Sequence, residues 1–256
     1  MKDTSPIDER AEILVKAYLT GELRNNSREI NEQAVRELLA GNAYWSLKLE
    51  AVEELELDYD EAIKRLAKAC GLDLATFMSH TKSYIDPLTT MQSWDRALEA
   101  IDRAATAGDT ILFATGHPGS LLELYRRLAG YAKERGATIV DSVERVRTPG
   151  HHYLDTVAGV IVLSDEGSLL HTHDGESLRE VIRAHKPALV VSDHGFAAAA
   201  INEKVPTVAI FDSDDPALPL AASVRDDVIA VPMNDNQTNL HTALAVTAAL
   251  NLGSSW

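Results

Sequence analysis

The chain has 256 residues, 45% of them hydrophobic and 25% charged, which suits a globular protein of one large or two modest domains with room for a full core. Its 39 acidic against 24 basic residues give a net charge of −15; that field repels phosphate backbones and argues against nucleic-acid binding. The single cysteine, Cys70, excludes an intramolecular disulfide, and no apolar run approaches the roughly 18–20 residues that a bilayer crossing needs.

The opening residues, Met1-Lys-Asp-Thr-Ser-Pro-Ile-Asp-Glu-Arg, lack the apolar core of a signal peptide, so a soluble cytoplasmic protein is expected. From there to residue 106 the pattern predicts helices alone. Pro6 to Leu23 carries Ile13, Leu14, Ala17, Tyr18 and Leu19 at helical spacing, and Arg28 to Ala40 carries Ile30, Ala34, Leu38 and Leu39. Gly41-Asn42 stops that helix and Ala43 to Leu55 resumes it. Asp58 or Asp60 caps the next helix, which holds Cys70 as core or surface filler and ends at Gly71. Ile85-Asp86-Pro87 breaks the pattern, and Thr89 to Ala107 forms a long helix ending at Gly108.

From Asp109 short β-branched runs alternate with helical runs. The predicted strands are Ile111–Ala114, Thr138–Val140, Gly159–Leu163, Ala188–Val191, Thr207–Phe211 and Val228–Val231. Between them lie predicted helices at Leu121–Arg135, Glu176–His185, Phe196–Asn202 and Leu240–Leu250. Continuous apolar strands alternating with helices specify an α/β fold: a doubly wound, mainly parallel sheet covered on both faces. The reading is therefore a helical N-terminal region, 1–107, packed on an α/β domain, 108–256.

The polar residues of the second half gather where strands end. Thr115-Gly116-His117-Pro118-Gly119-Ser120 follows the first strand and opens a helix, so its N–H groups can face an anion, while Ser120 can equally be a plain N-cap. It has neither the Gly-Lys-Ser/Thr of a Walker A loop nor the third glycine of a dinucleotide fingerprint. His171 and His173, two apart, point to one side of an extended segment and can serve a ligand or metal, or can be two loop histidines. His151-His152 reads as loop. Asp193-His194-Gly195 offers an oxygen ligand for a hard cation, a general acid or ligand, and a close backbone approach; Asp193 can also cap the next helix. Asp212, Asp214 and Asp215 form the densest acidic cluster, with Asp214 or Asp215 able to cap the turn begun by Pro216. Asn234-Asp235-Asn236 adds oxygen ligands or a turn. In a parallel sheet all these ends open on one edge.

Taken together, Ala114-Thr-Gly-His-Pro-Gly119, His171-Thr-His173, Val190-Val-Ser-Asp-His-Gly195, Asp212-Ser-Asp-Asp-Pro-Ala-Leu218 and Val231-Pro-Met-Asn-Asp235 resemble a bacterial family of phosphatases. The resemblance extends through Asn25-Asn26, Gly41-Asn42-Ala-Tyr-Trp45 and Ile85-Asp-Pro87, covering nearly the whole chain in order. Three positions depart from it: Ser120 stands where a second glycine is usual, Phe196 for a tryptophan and Asn236 for a histidine. The resemblance implies a phosphate-ester hydrolase. On this reading Asp193, Asp212, Asp215 and Asp235 hold one or two divalent cations, Mg²⁺ or Mn²⁺ by ligand hardness. Thr115, Gly116, Gly119, Ser120, His171 and His173 bind the phosphate of a small phosphorylated metabolite. His117, Asp193 and His194 form the catalytic group, with His117 or His194 protonating the leaving oxygen. A sugar-phosphate isomerase or transferase and a non-catalytic sensor of a phosphorylated ligand are the alternatives. The helical region either packs plainly against the sheet or closes over the crevice with Tyr44, Trp45 and Asn25-Asn26.

Overall fold

The computed structural model describes residues 9–143, 152–165 and 167–252. The first of the predicted histidine pair, His151, lies outside them. Along the chain run α1 (Glu9–Lys16), β1 (Gly21–Ser27), α2 (Arg28–Leu39), α3 (Ala43–Ser46), α4 (Glu50–Glu53), α5 (Tyr59–Ala69), α6 (Leu74–Ser79), β2 (Lys82–Ile85) and α7 (Pro87–Thr106). Then follow β3 (Thr110–Thr115), α8 (Pro118–Glu134), β4 (Thr138–Ile139), β5 (Tyr153–Val157), β6 (Val160–Ser164), β7 (Leu169–Leu170) and α9 (Glu176–His185). The described chain closes with β8 (Leu189–Asp193), α10 (His194–Asn202), β9 (Thr207–Phe211), α11 (Ala217–Ala222), β10 (Val228–Pro232) and α12 (Asn239–Ala249).

The main sheet has the order β10-β9-β8-β3-β6-β5. Its neighbours are parallel from β10 through to β6, and β5 closes the edge antiparallel. The expected mixed, mainly parallel α/β fold is therefore present. Alternate residues of β3 face opposite sides. Ile111 and Phe113 join one apolar core with α1, α7, α8 and α12, while Leu112 and Ala114 join another with α9 and α10. This two-sided burial explains why the central strands read as unbroken apolar runs. After β3 the chain builds outward to β6, then returns to place β8 on the other side of β3. The order reverses between β3 and β8, and the carboxyl-end crevice at such a reversal is where open α/β sheets bind ligands.

The helix-only reading of the first 106 residues needs correction. Gly21–Ser27 and Lys82–Ile85 pair as an antiparallel two-stranded sheet. The first helix stops at Lys16, with Tyr18 just beyond it in the left-handed region at φ +56°, and the polar Glu22-Leu-Arg-Asn-Asn26 carries no strand signature that periodicity detects. Asp58 is the side chain that caps α5, accepting from the Glu61 N–H at 2.9 Å, and Cys70 is buried at its end. Among the described residues no helix is long and apolar enough to cross a membrane.

Candidate functional site

Two strand ends meet first. Asp193, the last residue of β8, is fully buried. One of its oxygens accepts the Gly116 N–H at 2.9 Å and the other accepts the Thr115 hydroxyl at 3.1 Å. It makes no side-chain cap to α10. Instead it ties the end of β8 to the end of β3 across the reversal of strand order. Its second oxygen also lies 3.1 Å from Nδ1 of His194. His194 opens α10 with φ +46°, a left-handed conformation that a non-glycine residue adopts at a cost of about 1–3 kcal/mol. The strand-to-helix turn thereby projects the imidazole back over the crevice.

The loop 171–175 lies against both ends with no room to spare. A Cβ on Gly116 would sit 2.5 Å from the Thr172 carbonyl oxygen, and one on Gly195 would sit 2.2 Å from that of His173. These glycines allow close approach of backbone to backbone, and the result is a packed group of four imidazoles. His117 stacks on His171 with ring centroids 4.5 Å apart, and His194 lies 4.6 Å from His173 and 5.1 Å from His171. Two sets of three residues bring ligand atoms within 4.8 Å of one another: His117, His171 and His194, and His173, His194 and Asp215.

Carboxylates form the other wall. Nε2 of His194 lies 3.5 Å from Asp215 and 3.6 Å from Asp235, and Nδ1 of His117 lies 3.3 Å from Asp235. That last pair is within ion-pair range but out of hydrogen-bond line, so both atoms are buried without a hydrogen-bond partner. Burial drives the Asp215 carboxyl up to about 7 and that of Asp214 to about 6, while Asp212 is raised well above the usual carboxylate range. Burial would lower His194, but Asp215, Asp193 and Asp235 outweigh it and hold the ring at about 10. Burial, with His194 nearby, depresses His171 to about 4 and His173 to about 3. The group therefore combines one protonated imidazole, two neutral ones and several crowded carboxylates.

The predicted residues separate here. His117, His171, His173, His194, Asp193, Asp215 and Asp235 come together. Asp212 is buried beside them, with one oxygen accepting the Ser213 hydroxyl at 3.1 Å and the other 3.5 Å from Nδ2 of Asn236. The turn after β3 differs from the expected anion cradle. The Gly116 N–H goes to Asp193, the His117 N–H to Thr115 Oγ1 and the Ser120 N–H to the His117 carbonyl. Pro118 has none, which leaves the exposed Gly119. The N-cap position of α8 is His117, with Pro118 at N1, and Ser120 lies buried one turn in. The Asp214 and Asp215 side chains do not cap α11. Asn234 forms a turn with Asn236 N–H and reaches the Tyr18 carbonyl at 2.8 Å.

Asn26 and Tyr44 of the first half reach the site. Asn26 donates to Asp214 at 3.0 Å. Tyr44 stacks on His173 at 3.7 Å, and its carbonyl lies 3.0 Å from Nδ1 of that ring. An Nδ1–H donated to this carbonyl leaves Nε2 with a free lone pair. Sequence reading placed Tyr44 and Asn26 only as candidates for closure; that a tyrosine carbonyl orients a histidine 129 residues away has no local signal.

A family model described as Phosphatase matches residues 6–246. The chain belongs to that family. It is also 33% identical over 234 residues to Phosphatase SCO2771 of Streptomyces coelicolor, an alignment that covers 89% of this chain and 88% of that protein. The family match at residues 6–246 spans both the first half and the strand ends that contribute to the histidine and aspartate group.

Proposed function

We propose that this protein is a metal-assisted phosphatase that hydrolyses a small phosphomonoester at the crevice between the ends of β3 and β8. Membership of the family supports the hydrolase reading, and the observation that carries the mechanism is the meeting at the buried His194 of two ligand triads, His117–His171–His194 and His173–His194–Asp215. The donor set fits a divalent ion. His171 and His173 are neutral and keep lone pairs, and Asp235 has a buried oxygen with no hydrogen-bond partner. The mixed set suits Zn²⁺ through its imidazoles and Mn²⁺ through its carboxylates, whereas Mg²⁺ is held by oxygen and water.

His173, His194 and Asp215 would hold the ion, with His171 beside them. When bound, such an ion neutralises phosphoryl charge and lowers the pKa of water. Asp193 acts behind His194: accepting from Nδ1, it fixes the ring so that Nε2 faces the crevice. This replaces the direct ligand role expected for Asp193, whose oxygens already serve Thr115, Gly116 and His194. Asp212 is likewise engaged by Ser213. His117, which Asp235 holds toward its protonated form against the effect of burial, donates the proton to the leaving oxygen. Gly119 offers the remaining backbone N–H of its turn to a phosphoryl oxygen, and Tyr44 walls the mouth.

Product analysis on a panel of phosphomonoesters tests the reading. Purified protein releases inorganic phosphate and the free alcohol, and His117→Ala lowers kcat by about 10²–10⁴-fold, the usual worth of a general acid. A rearranged phosphorylated product would instead indicate an isomerase or transferase. A ligand that raises Tm without turnover would indicate a sensor.

A further inference from the structure

We propose a second binding site, remote from the histidine group, that takes an extended acidic segment of a partner protein as an added strand along the outer edge of β10. A groove of about 710 Å³ runs along this edge between α5, α7 and α11 and shares no lining residue with the site described above.

The charge of its lining is opposite to that of the chain. Lys64, Arg65, Lys68 and Arg96 line it against one carboxylate, Glu61. Glu61 is engaged by Arg65 at 2.8 Å and by Lys64 at 3.7 Å. Lys68 and Arg96 are exposed and have no acidic partner among the described residues. In a protein of net charge −15, a groove this basic selects an anionic occupant.

The backbone at the floor specifies what kind. β10 is the last strand of the sheet. The Asp227 carbonyl accepts from Thr207 and the Met233 N–H donates to Phe211, both toward β9. Alternation of the ladder then points the backbone polar groups of Val228, Ala230 and Pro232 away from β9. Pro232 has no N–H, and its carbonyl accepts the Thr90 hydroxyl at 2.8 Å. The Val228 N–H goes to the Arg225 carbonyl. The Val228 carbonyl and both polar groups of Ala230 are left without a partner among the described residues, and these two residues line the groove. One donor and two acceptors in line on an open edge are the template for strand addition. A free anion would use the cations and ignore them. A second copy of this chain paired symmetrically at this edge would set the same four cations against themselves, which disfavours self-association.

The test uses the full-length protein and a fluorescein-labelled heptapeptide, Thr-Glu-Val-Glu-Val-Glu-Ser, with a lysine-for-glutamate version as control. The acidic peptide binds saturably and the basic one does not. Lys68→Glu with Arg96→Glu weakens binding at least tenfold while phosphate release is unchanged; Lys68→Ala with Arg96→Ala gives a smaller loss and serves if the charge-reversed protein does not fold. Hydrogen exchange of the Ala230 amide slows at least tenfold in the complex. Absent binding, equal binding by both double variants and the parent, or an Ala230 amide that exchanges as before would overturn the proposal. So would tighter binding of inorganic tripolyphosphate than of the peptide, or a dimer in sedimentation that the charge reversal dissolves.

Discussion

Asp214 and Asp215 bear the cost of the site. Their carboxyls titrate near 6 and 7 in the folded chain against an ordinary 3.8. A raised folded value means that the folded chain binds the extra protons. Stability from these groups is therefore complete below about pH 3.8 and is lost as pH rises through 6 to 7. His194 acts in the same direction: held at about 10 from an ordinary 6.5, it contributes below pH 6.5 and that contribution disappears toward 10. His171 and His173, lowered to about 4 and 3, act the other way and cost stability below pH 6.5, but the carboxyls and His194 together outweigh them, so metal-free protein should melt at a lower temperature at pH 8 than at pH 5. Asp215→Asn should raise its Tm at pH 8, by about 2–4 °C per kcal/mol of repulsion relieved, and remove the stabilisation given by added Mn²⁺ or Zn²⁺. Scanning calorimetry at the two pH values measures this; a higher Tm at pH 8 than at pH 5 without metal would contradict it.

At the scale of elements, the site depends on two turns and a loop that interlock through glycine. Gly195 follows the strained His194, and any Cβ there meets the His173 carbonyl oxygen at 2.2 Å and the Gly175 nitrogen at 2.7 Å. Those contacts are backbone, which cannot rotate away. Gly195→Ala should cost about 1–3 kcal/mol and separate His173 from His194, seen as a lower Tm together with lost activity; full activity and unchanged Tm would show that the loop yields. The apolar runs of β3, β8 and β9 are doubly buried and announced themselves by composition. Gly116, His117, Asp193 and His194 were legible because strand ends in a parallel sheet share an edge. The engagement of the Gly116 and Ser120 N–H groups was not legible, since it depends on Asp193, 77 residues from Gly116, and on local helix geometry. Nor was β1, whose Arg24-Asn25-Asn26 lacks both alternation and β-branching.

For the molecule as a whole, we read residues 1–107 as a region that completes both the core and the site. Leu14, Trp94 and Ile101 are buried in the same cluster as Ile111, Phe113 and Val191, and Tyr44 and Asn26 touch His173 and Asp214. A fragment of residues 108–256 should consequently fail to melt cooperatively, because removing α1 and α7 exposes one face of the sheet. A cooperative calorimetric transition from that fragment would show an independent domain.

On the proposed mechanism, phosphate release needs an ion held by His173, His194 and Asp215. Protein stripped by chelation and dialysed should release no phosphate from a phosphomonoester. Stepwise addition of Mn²⁺ or Zn²⁺ should restore turnover, with protons released as the ion displaces that on His194. His194→Ala should not be restored at any ion concentration. Undiminished phosphate release by the stripped protein, or by His194→Ala, would show that no ion at this site is needed.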